Sequence, residues 1–454
     1  MSATRLSPLD DSFLETESAT AHMHVGWAAV FDPPARGQRP DFEQLRDHIE
    51  SRLPRTPRYR QKVSPAPFGL DAPSWIDDER FDVARHVLRS DSDDLDHLAA
   101  ECMSRQLERD RPLWEICIAD RLRDGRIGLV GKVHHAMVDG VAAVDLALLL
   151  LDPTPDAPRE QADGWEPEPP PSRIARLWHG ARDITAARFG AARKASSVVL
   201  SPQRLGRLPR RAGEAAVTLT RALRPARPAA TLNEPISTRR RLARVDRPLA
   251  ELQRIKRHFR ATVNDVYLAI AAGALRRLQL DRGQSPRPLK TMVPVNVRED
   301  GELEELGNRI SFMFVDLPCD ESDPARRLRR LQSALARRKR GRDSRTANSL
   351  LNLMGHAPRP LQQLASRIVA SPHMFNLTVS NIPGPSEPMF MLGCELKAAF
   401  PVVPIPDRHA LSIGMTTIQD RACFGLYADR DALGDVQRVA DAVEHSSDEL
   451  LALT

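Results

Sequence analysis

The sequence predicts a mixed α/β protein with two sheet-bearing halves joined by a helical linker, and three observations predict it. Over residues 1–150, runs that alternate apolar and polar residues are interleaved with runs of helical period. The same mixture returns near Ile236 and continues to the end of the chain. Between the two lies a break in composition, rich first in proline and then in arginine. The expected division is residues 1–152, a linker over 153–235, and residues 236–454. At 454 residues the chain is long enough to bury a large core.

In the first part, Val25–Phe31 reads as a strand, Asp41–Leu53 and Leu95–Leu107 as helices, and Ile116–Ala119 and Gly128–His134 as strands. Prolines 153, 155, 167 and 169–171 then remove backbone donors and end regular structure. Ser172 is placed to cap a helix in which Ile174, Leu177, Trp178, Ala181 and Ile184 share one face. A second helical piece is expected over 213–223. In the last part, Leu249–His258, Thr262–Leu280 and Ala325–Arg340 read as helices, the second dense in Ala, Ile and Leu and expected to be buried. Thr291–Val297, Ile310–Leu317, Phe375–Ser380 and Leu411–Thr417 read as strands.

The chemistry concentrates in His134-His135-Ala136-Met137-Val138-Asp139-Gly140. A strand pattern precedes it, and Val141, Val144 and Leu148 follow at helical spacing, so the histidines stand where a strand delivers its end to a loop. A neutral imidazole takes a proton from a hydroxyl or amine and returns it to a leaving group. Asp139 is placed either to orient a histidine or to pair with an arginine and hold the loop. Gly140 permits a close backbone approach. Adjacent histidines cannot share one helix face, which argues against a zinc site of the HExxH kind. No GxSxG elbow, phosphate loop or GxGxxG occurs, so an acyl-serine enzyme and those modes of nucleotide binding are unsupported.

The five cysteines, Cys102, Cys117, Cys319, Cys394 and Cys423, form no CxxC and argue for a reducing compartment. Cys117 is the nearest to the histidines but falls in an apolar strand, where buried thiols are usually inert. Asp10, Asp11 and Glu15 stand where a signal peptide would need an apolar run. No stretch approaches the ~20 apolar residues of a membrane span. A cytoplasmic protein with at most peripheral membrane contact is therefore expected. Residues 172–232 hold thirteen basic residues against Asp183 and Glu214, in a chain of formal charge +6. Everything outside that segment is thus mildly acidic.

Other segments give the motif its context. The chain begins with Leu6-Ser7-Pro8-Leu9-Asp10-Asp11-Ser12-Phe13-Leu14, then Met23-His24-Val25-Gly26. Pro73-Ser74-Trp75-Ile76-Asp77-Asp78, Phe81-Asp82, His86-Val87 and Arg111-Pro112-Leu113-Trp114-Glu115 follow. Later come Val263-Asn264-Asp265-Val266, Pro294-Val295-Asn296-Val297-Arg298, Gly307-Asn308-Arg309 and Ser380-Asn381-Ile382-Pro383-Gly384-Pro385. With HHxxxDG, these colinear blocks resemble the bacterial wax ester synthase/diacylglycerol acyltransferases, within the CoA-dependent acyltransferase superfamily. One departure is Ala142-Ala143, where that family often has Ser-Gly.

The resemblance implies two chloramphenicol-acetyltransferase-like domains with a tunnel between them. It implies acyl-CoA as co-substrate, no cofactor or metal, and diacylglycerol or a fatty alcohol as acceptor. On this reading His135 is the general base, supported by His134, Asp139 and Gly140, and direct attack on the thioester needs no covalent nucleophile. Pro112 and Trp114 belong either to the core or beside the tunnel. Asn264 and Asp265 either cap the buried helix or act in catalysis. Arg298, at a strand end, needs an anion, and Asp139 is a candidate. Asn296 and Asn376 either bond to backbone or solvent or donate to an oxyanion. The basic segment is a plain linker or an Arg-faced helix on a membrane or lipid-droplet surface. With Trp178 and Phe189 nearly its sole aromatics, nucleic-acid binding is not expected. Two alternatives stand beside this reading: a condensation- or polyketide-associated acyltransferase fed by a carrier protein, and a non-catalytic lipid-surface protein.

Overall fold

The computed structural model describes residues 4–66, 73–138, 150–160, 163–169, 225–230, 232–296, 310–340 and 367–454. Strands β1 (Thr4–Arg5), β2 (His24–Asp32), β3 (Gln61–Ser64), β4 (Ser74–Asp77), β5 (Val87–Arg89), β6 (Trp114–Ala119) and β7 (Ile127–His134) come first. Among them lie helices α1 (Pro8–Thr16), α2 (Phe42–Arg52) and α3 (Leu95–Ser104). Then come β8 (Arg240–Pro248), α4 (Leu249–Phe259), α5 (Val263–Asp281), β9 (Leu289–Asn296), β10 (Ile310–Leu317) and α6 (Pro324–Arg340). The chain closes with β11 (Leu377–Ile382), β12 (Phe390–Met391), β13 (Cys394–Val402), β14 (Leu411–Ile418), β15 (Arg421–Asp429) and α7 (Gln437–Leu451).

These strands form two six-stranded sheets and a small three-stranded one. The first large sheet runs β12-β13-β2-β7-β6-β5, the second β10-β9-β11-β14-β15-β8, and the small one β1-β4-β3. The first sheet draws on both ends of the chain. β13 pairs antiparallel with β2, Phe400 opposite Ala28 and Val402 opposite Gly26, with a bulge between Leu396 and Ala398. The second sheet is mixed: β11 runs parallel to β9 and β14, whereas β15 is antiparallel to β14 and β8.

Local chemistry explains the helices. Asp41 and Gln44 form a capping box at α2, and Thr262 and Asp265 form one at α5. α5 is buried nearly all round from Val266 to Leu275, as its apolar run predicts. The Tyr267 hydroxyl on it donates to the carbonyls of Ser380 (3.0 Å) and Ile413 (2.8 Å), tying the helix to β11 and β14. α3 packs against β7, β6 and β8 and so lies between the two large sheets. The hydroxyl of its Ser104 accepts from the Arg240 N–H (2.9 Å), and its Asp96 pairs with Arg244.

The proline-rich stretch after residue 150 carries no helix over its described residues, and it is held to the first half by charge. Nη2 of buried Arg52 donates to both carboxylate oxygens of Asp152 at 2.7 Å, and its Nη1 meets Glu160. Arg60 grips Asp163 (2.6 and 2.9 Å) and lies over the Trp165 ring. The helices expected to begin at Ser172 and over 213–223 lie outside the described residues. So does the helix expected from Val141.

One continuous buried cluster runs through both large sheets and their helices. A second, smaller cluster gathers Leu6, Leu14, Trp75, Leu107, Leu113 and Ala136, with Phe13 and Met137 packed on it. That satellite core is the seat of the two histidines.

Candidate active site

β7 carries the histidines to the end of the first sheet. Its neighbour β2 lies so close that a Cβ on Gly131 would fall 2.6 Å from the Trp27 ring. Trp27 is the direct cross-strand partner of Gly131. The bare glycine thus makes room for an aromatic that locks the register of the strand. At the end of β7 the His134 N–H donates to the Leu113 carbonyl (2.9 Å). The His135 N–H donates to the Met23 carbonyl (3.0 Å), and the Met137 N–H closes a turn onto the His134 carbonyl (2.9 Å). Met23 holds its carbonyl there from a left-handed backbone conformation, φ 50°.

The rest of the seat comes from α1. Ser7 caps it by accepting from the Asp10 N–H (3.1 Å), Pro8 starts it, and Asp10 and Asp11 sit in its positive first turn. That start fixes which face points inward. Phe13 and Glu17, four residues apart, share a face. Phe13 stacks on the His135 ring, centroids 3.8 Å apart and planes 12° apart. The Glu17 carboxylate lies 3.8 Å from His134 Nε2. It accepts from Arg109 Nε (2.8 Å) and Gln106 Nε2 (3.0 Å).

His134 is almost fully buried and is held neutral. Burial, then the Arg109 guanidinium, then His135 push its pKa down to about 3. Its Nδ1 accepts from the Ala136 N–H (3.0 Å), so the neutral ring carries its proton on Nε2. Across the sheet, His24 stands opposite His134 with rings 6.5 Å apart, edge to face. Burial, followed by the charge on Lys132, holds His24 well below the usual histidine range. His135, 8% exposed, is the more accessible of the two motif rings; His134 is 1% exposed.

The Pro112-Leu113-Trp114 block lies beside this seat. Trp114 is 2% exposed, its Nε1 donates to the Tyr59 carbonyl (2.8 Å), and it stacks on His86 at 4.6 Å. Pro112 is buried with it. Of the two readings the sequence leaves for this block, the contacts are those of a core anchor that carries the Leu113 carbonyl to His134. Asn264 and Asp265 stand in the first turn of α5, where the Asp265 carboxylate accepts from the Thr262 N–H (2.8 Å). Asn296 ends β9 opposite Ile310. Asn376 is fully engaged: its amide donates to the Arg227 carbonyl and to Asn233 Oδ1 (2.9 Å each), and its Oδ1 accepts from the Lys290 N–H (2.9 Å). It is a structural clamp, with no amide hydrogen left for an oxyanion. Asp139, Gly140 and Arg298, and with them the expected Asp139–Arg298 pair, lie outside the described residues.

Sequence reasoning missed Phe13, Glu17, Arg109 and Met23 as site residues. Phe13 and Met23 belong to blocks that carry the family resemblance, which was their one signal. Glu17 was legible only as the residue one turn beyond Phe13.

A six-stranded sheet with paired histidines at the end of one strand, beside a second mixed sheet, fits the two-domain acyltransferase architecture that the resemblance implies. Residues 6–267 match the wax ester synthase/diacylglycerol acyltransferase catalytic domain, and residues 306–451 match the C-terminal domain of the same enzymes. The chain belongs to the wax ester synthase/diacylglycerol acyltransferase family. It is 32% identical over 463 residues to a Mycobacterium tuberculosis H37Rv protein named a probable diacylglycerol O-acyltransferase, tgs1, covering 99% of this chain and 96% of that one. A second protein of that strain with the same description, tgs2, is 30% identical over 457 residues, covering 98% of each. Among solved structures, the wax ester synthase/diacylglycerol acyltransferase of Marinobacter aquaeolei VT8 superposes with a TM-score of 0.69 at 27% identity, covering 98% of each chain. The first condensation domain of the calcium-dependent antibiotic synthetase superposes at 0.59 with 14% identity, covering 99% of this chain and 96% of that one, a likeness of fold alone.

Proposed function

We propose that this protein transfers a long-chain acyl group from acyl-CoA to the hydroxyl of diacylglycerol or a fatty alcohol, with His135 as general base. The His135 imidazole takes the hydroxyl proton as the oxygen attacks the thioester carbonyl. The tetrahedral oxyanion collapses, the C–S bond breaks, and the imidazolium protonates the departing CoA thiolate. Asp139 and Gly140 hold the loop that follows. The observation that carries this reading is the seating of His135: its ring is stacked by Phe13 and its backbone is pinned to Met23 at the end of a rigid strand. A ring held in this way keeps its orientation toward a bound substrate. His134, buried and neutral, supports the turn.

Among the described residues no helix is long and apolar enough to cross a membrane. We assign the basic segment, residues 172–232, the role of a cationic surface anchor, carried by its arginines ahead of residue 225, since Ala226, Ala229 and Leu232 are buried.

The test is turnover by the purified chain with a panel of acyl-CoA and carrier-protein acyl thioester donors against fatty alcohol, monoacylglycerol and diacylglycerol acceptors. Ester formation with stoichiometric CoA release is expected. Turnover only with carrier-protein thioesters would favour the condensation-type reading, and none with any donor would favour a non-catalytic lipid-surface protein.

A further inference from the structure

On the face of the first sheet covered by α3, two cysteines meet in a charged pocket that acyl transfer does not use. Cys102 is on α3 and Cys117 on β6. Their sulfurs, with a carboxylate oxygen of Glu115, all lie within 4.8 Å of one another. Arg105, at the end of α3, points its Nη2 at Cys117 Sγ from 3.3 Å. Lys132, on the adjacent strand, is wholly buried. Its Nζ is shared among the Cys102 carbonyl (2.9 Å), the Arg105 carbonyl (2.8 Å) and Glu115 Oε2 (2.9 Å). The end of α3 is thereby fastened to β7, and the two sulfurs are held in one place.

The pocket opens outward. A cavity of about 230 Å³ is lined by Leu88, Arg89, Glu101, Cys102, Arg105 and Cys117, among others. Its rim residues Arg89, Glu101 and Arg105 are exposed, while the two cysteines form its buried floor. Cys117, 3% exposed, thus borders this cavity beside a guanidinium.

Three ligand atoms at such spacing also suit a metal ion, but the charges here oppose one. Lys132 already neutralises Glu115, and Arg105 faces the thiol, so a divalent cation would sit beside two fixed positive charges. The same two charges favour a thiolate. The neighbouring Cys102 thiol, followed by Arg105 and Lys132, holds the Cys117 thiol below its ordinary range despite burial. Cys102 is held the opposite way, well above its ordinary range, by its hydrogen bond to Cys117 and then by burial, so it keeps its proton. Burial likewise pushes Cys319 and Cys423 up to about 12 and Cys394 up to about 11.

We propose that Cys117 and Cys102 are a peroxide-reactive thiol pair, in which Cys117 attacks a hydroperoxide and Cys102 resolves the product to an intramolecular disulfide. The Cys117 thiolate sulfur takes the terminal oxygen of the hydroperoxide, the O–O bond breaks, and the alkoxide or hydroxide leaves and is protonated by solvent. Cys102 sulfur then attacks the sulfenic sulfur. The S–S bond forms, the S–O bond breaks, and the hydroxyl departs as water with the Cys102 proton. In sum, two thiols and one hydroperoxide give one disulfide, one alcohol (or water) and one water. On this proposal Cys117 departs from the sequence expectation of an inert strand thiol because of the guanidinium that α3 brings to it.

The inference is independent of the acyl-transfer reading, and its test does not read activity. The full chain is titrated with hydrogen peroxide, alkylated, and digested with trypsin without reduction. Arg105 and Arg109 place the two cysteines in separate peptides. A Cys102–Cys117 cross-linked pair is expected, reversible by dithiothreitol, with Cys117 lost about tenfold faster than Cys319, Cys394 or Cys423. In Cys102→Ser, Cys117 is expected to accumulate as a dimedone-trappable sulfenic acid. Arg105→Gln is expected to slow its oxidation several-fold. Cys117 reacting no faster than the other three, or a disulfide to a different partner, overturns the proposal. So does a chain that binds one zinc per molecule with both thiols protected. The wild-type comparison stands even where a variant fails to fold.

Discussion

Phe13 lies flat on His135, ring centroids 3.8 Å apart and planes 12° apart. A residue of the first helix thus forms one wall of the proposed base, though 122 positions separate them in sequence. An aromatic wall restricts ring rotation without titrating, so it sets where the imidazole nitrogens point.

Phe13→Ala is therefore expected to lower kcat about ten- to hundredfold, with KM for acyl-CoA changing less. Phe13→Tyr, which keeps the wall, is expected to retain most of the rate. Steady-state kinetics on both variants check this, and an unchanged kcat in Phe13→Ala would remove the ring from the positioning apparatus.

The two histidines are expected to fail in different ways. His135→Ala removes the proposed base and should cut turnover about 10²–10⁴-fold per folded molecule. His134→Ala leaves the buried Ala136 N–H without its acceptor and should cost about 1–3 kcal/mol of stability. His134→Asn, which restores an acceptor near the same place, should recover part of it. Paired denaturation and rate measurements distinguish the two; equal loss of turnover in both alanine variants at equal folding would sink the assignment.

Acid should destabilise the fold earlier than carboxylate protonation alone would. His134 titrates near 6.5 when unfolded and near 3 when folded. Between those values the unfolded chain takes up a proton that the folded chain refuses, so stability is present above pH 6.5 and falls steadily as pH drops toward 3. His134 alone should remove about 2 kcal/mol by pH 5. His24, also depressed by burial, adds in the same direction. Urea midpoints at pH 7 and pH 5 measure the effect, and His134→Asn should show a shallower decline.

Gly131→Ala is expected to destabilise by about 1–3 kcal/mol, because its Cβ would meet the buried Trp27 ring at 2.6 Å. Trp27→Phe should offset part of that loss in the double variant, a coupling that a double-mutant cycle reads directly. Strict additivity would show that the Trp27–Gly131 contact does not set the register.

Much of this was legible in the sequence because it is periodic. β7 was read from its alternation, α5 from its apolar run, and the paired histidines from their place at a strand end. What escaped was structure written in other terms. β13 was missed because Pro401 and a bulge interrupt its alternation. β8 was missed because its four arginines break the apolar alternation that marks a strand, although Arg240 is buried and bonded to the equally buried Asp429 at 3.0 Å. Gly425 broke the pattern of β15, and only the fold explains it, since the Pro401 backbone passes where a Cβ would be. The site's supporting residues were hidden for a similar reason. Phe13, Glu17 and Met23 act through distance in space, which a window of neighbouring residues does not report.

The origin of β13 has a consequence for how the molecule is made. Its partner β2 leaves the ribosome about 360 residues earlier. At 5–20 residues per second, the nascent first sheet waits roughly 20–70 s with one side of β2 unpaired. During that interval an apolar edge that includes Val25, Trp27 and Phe31 is open to any other strand in reach. The last strand of this sheet to arrive shields β2, the neighbour of the histidine-bearing β7, and synthesis has nearly finished before the sheet can close.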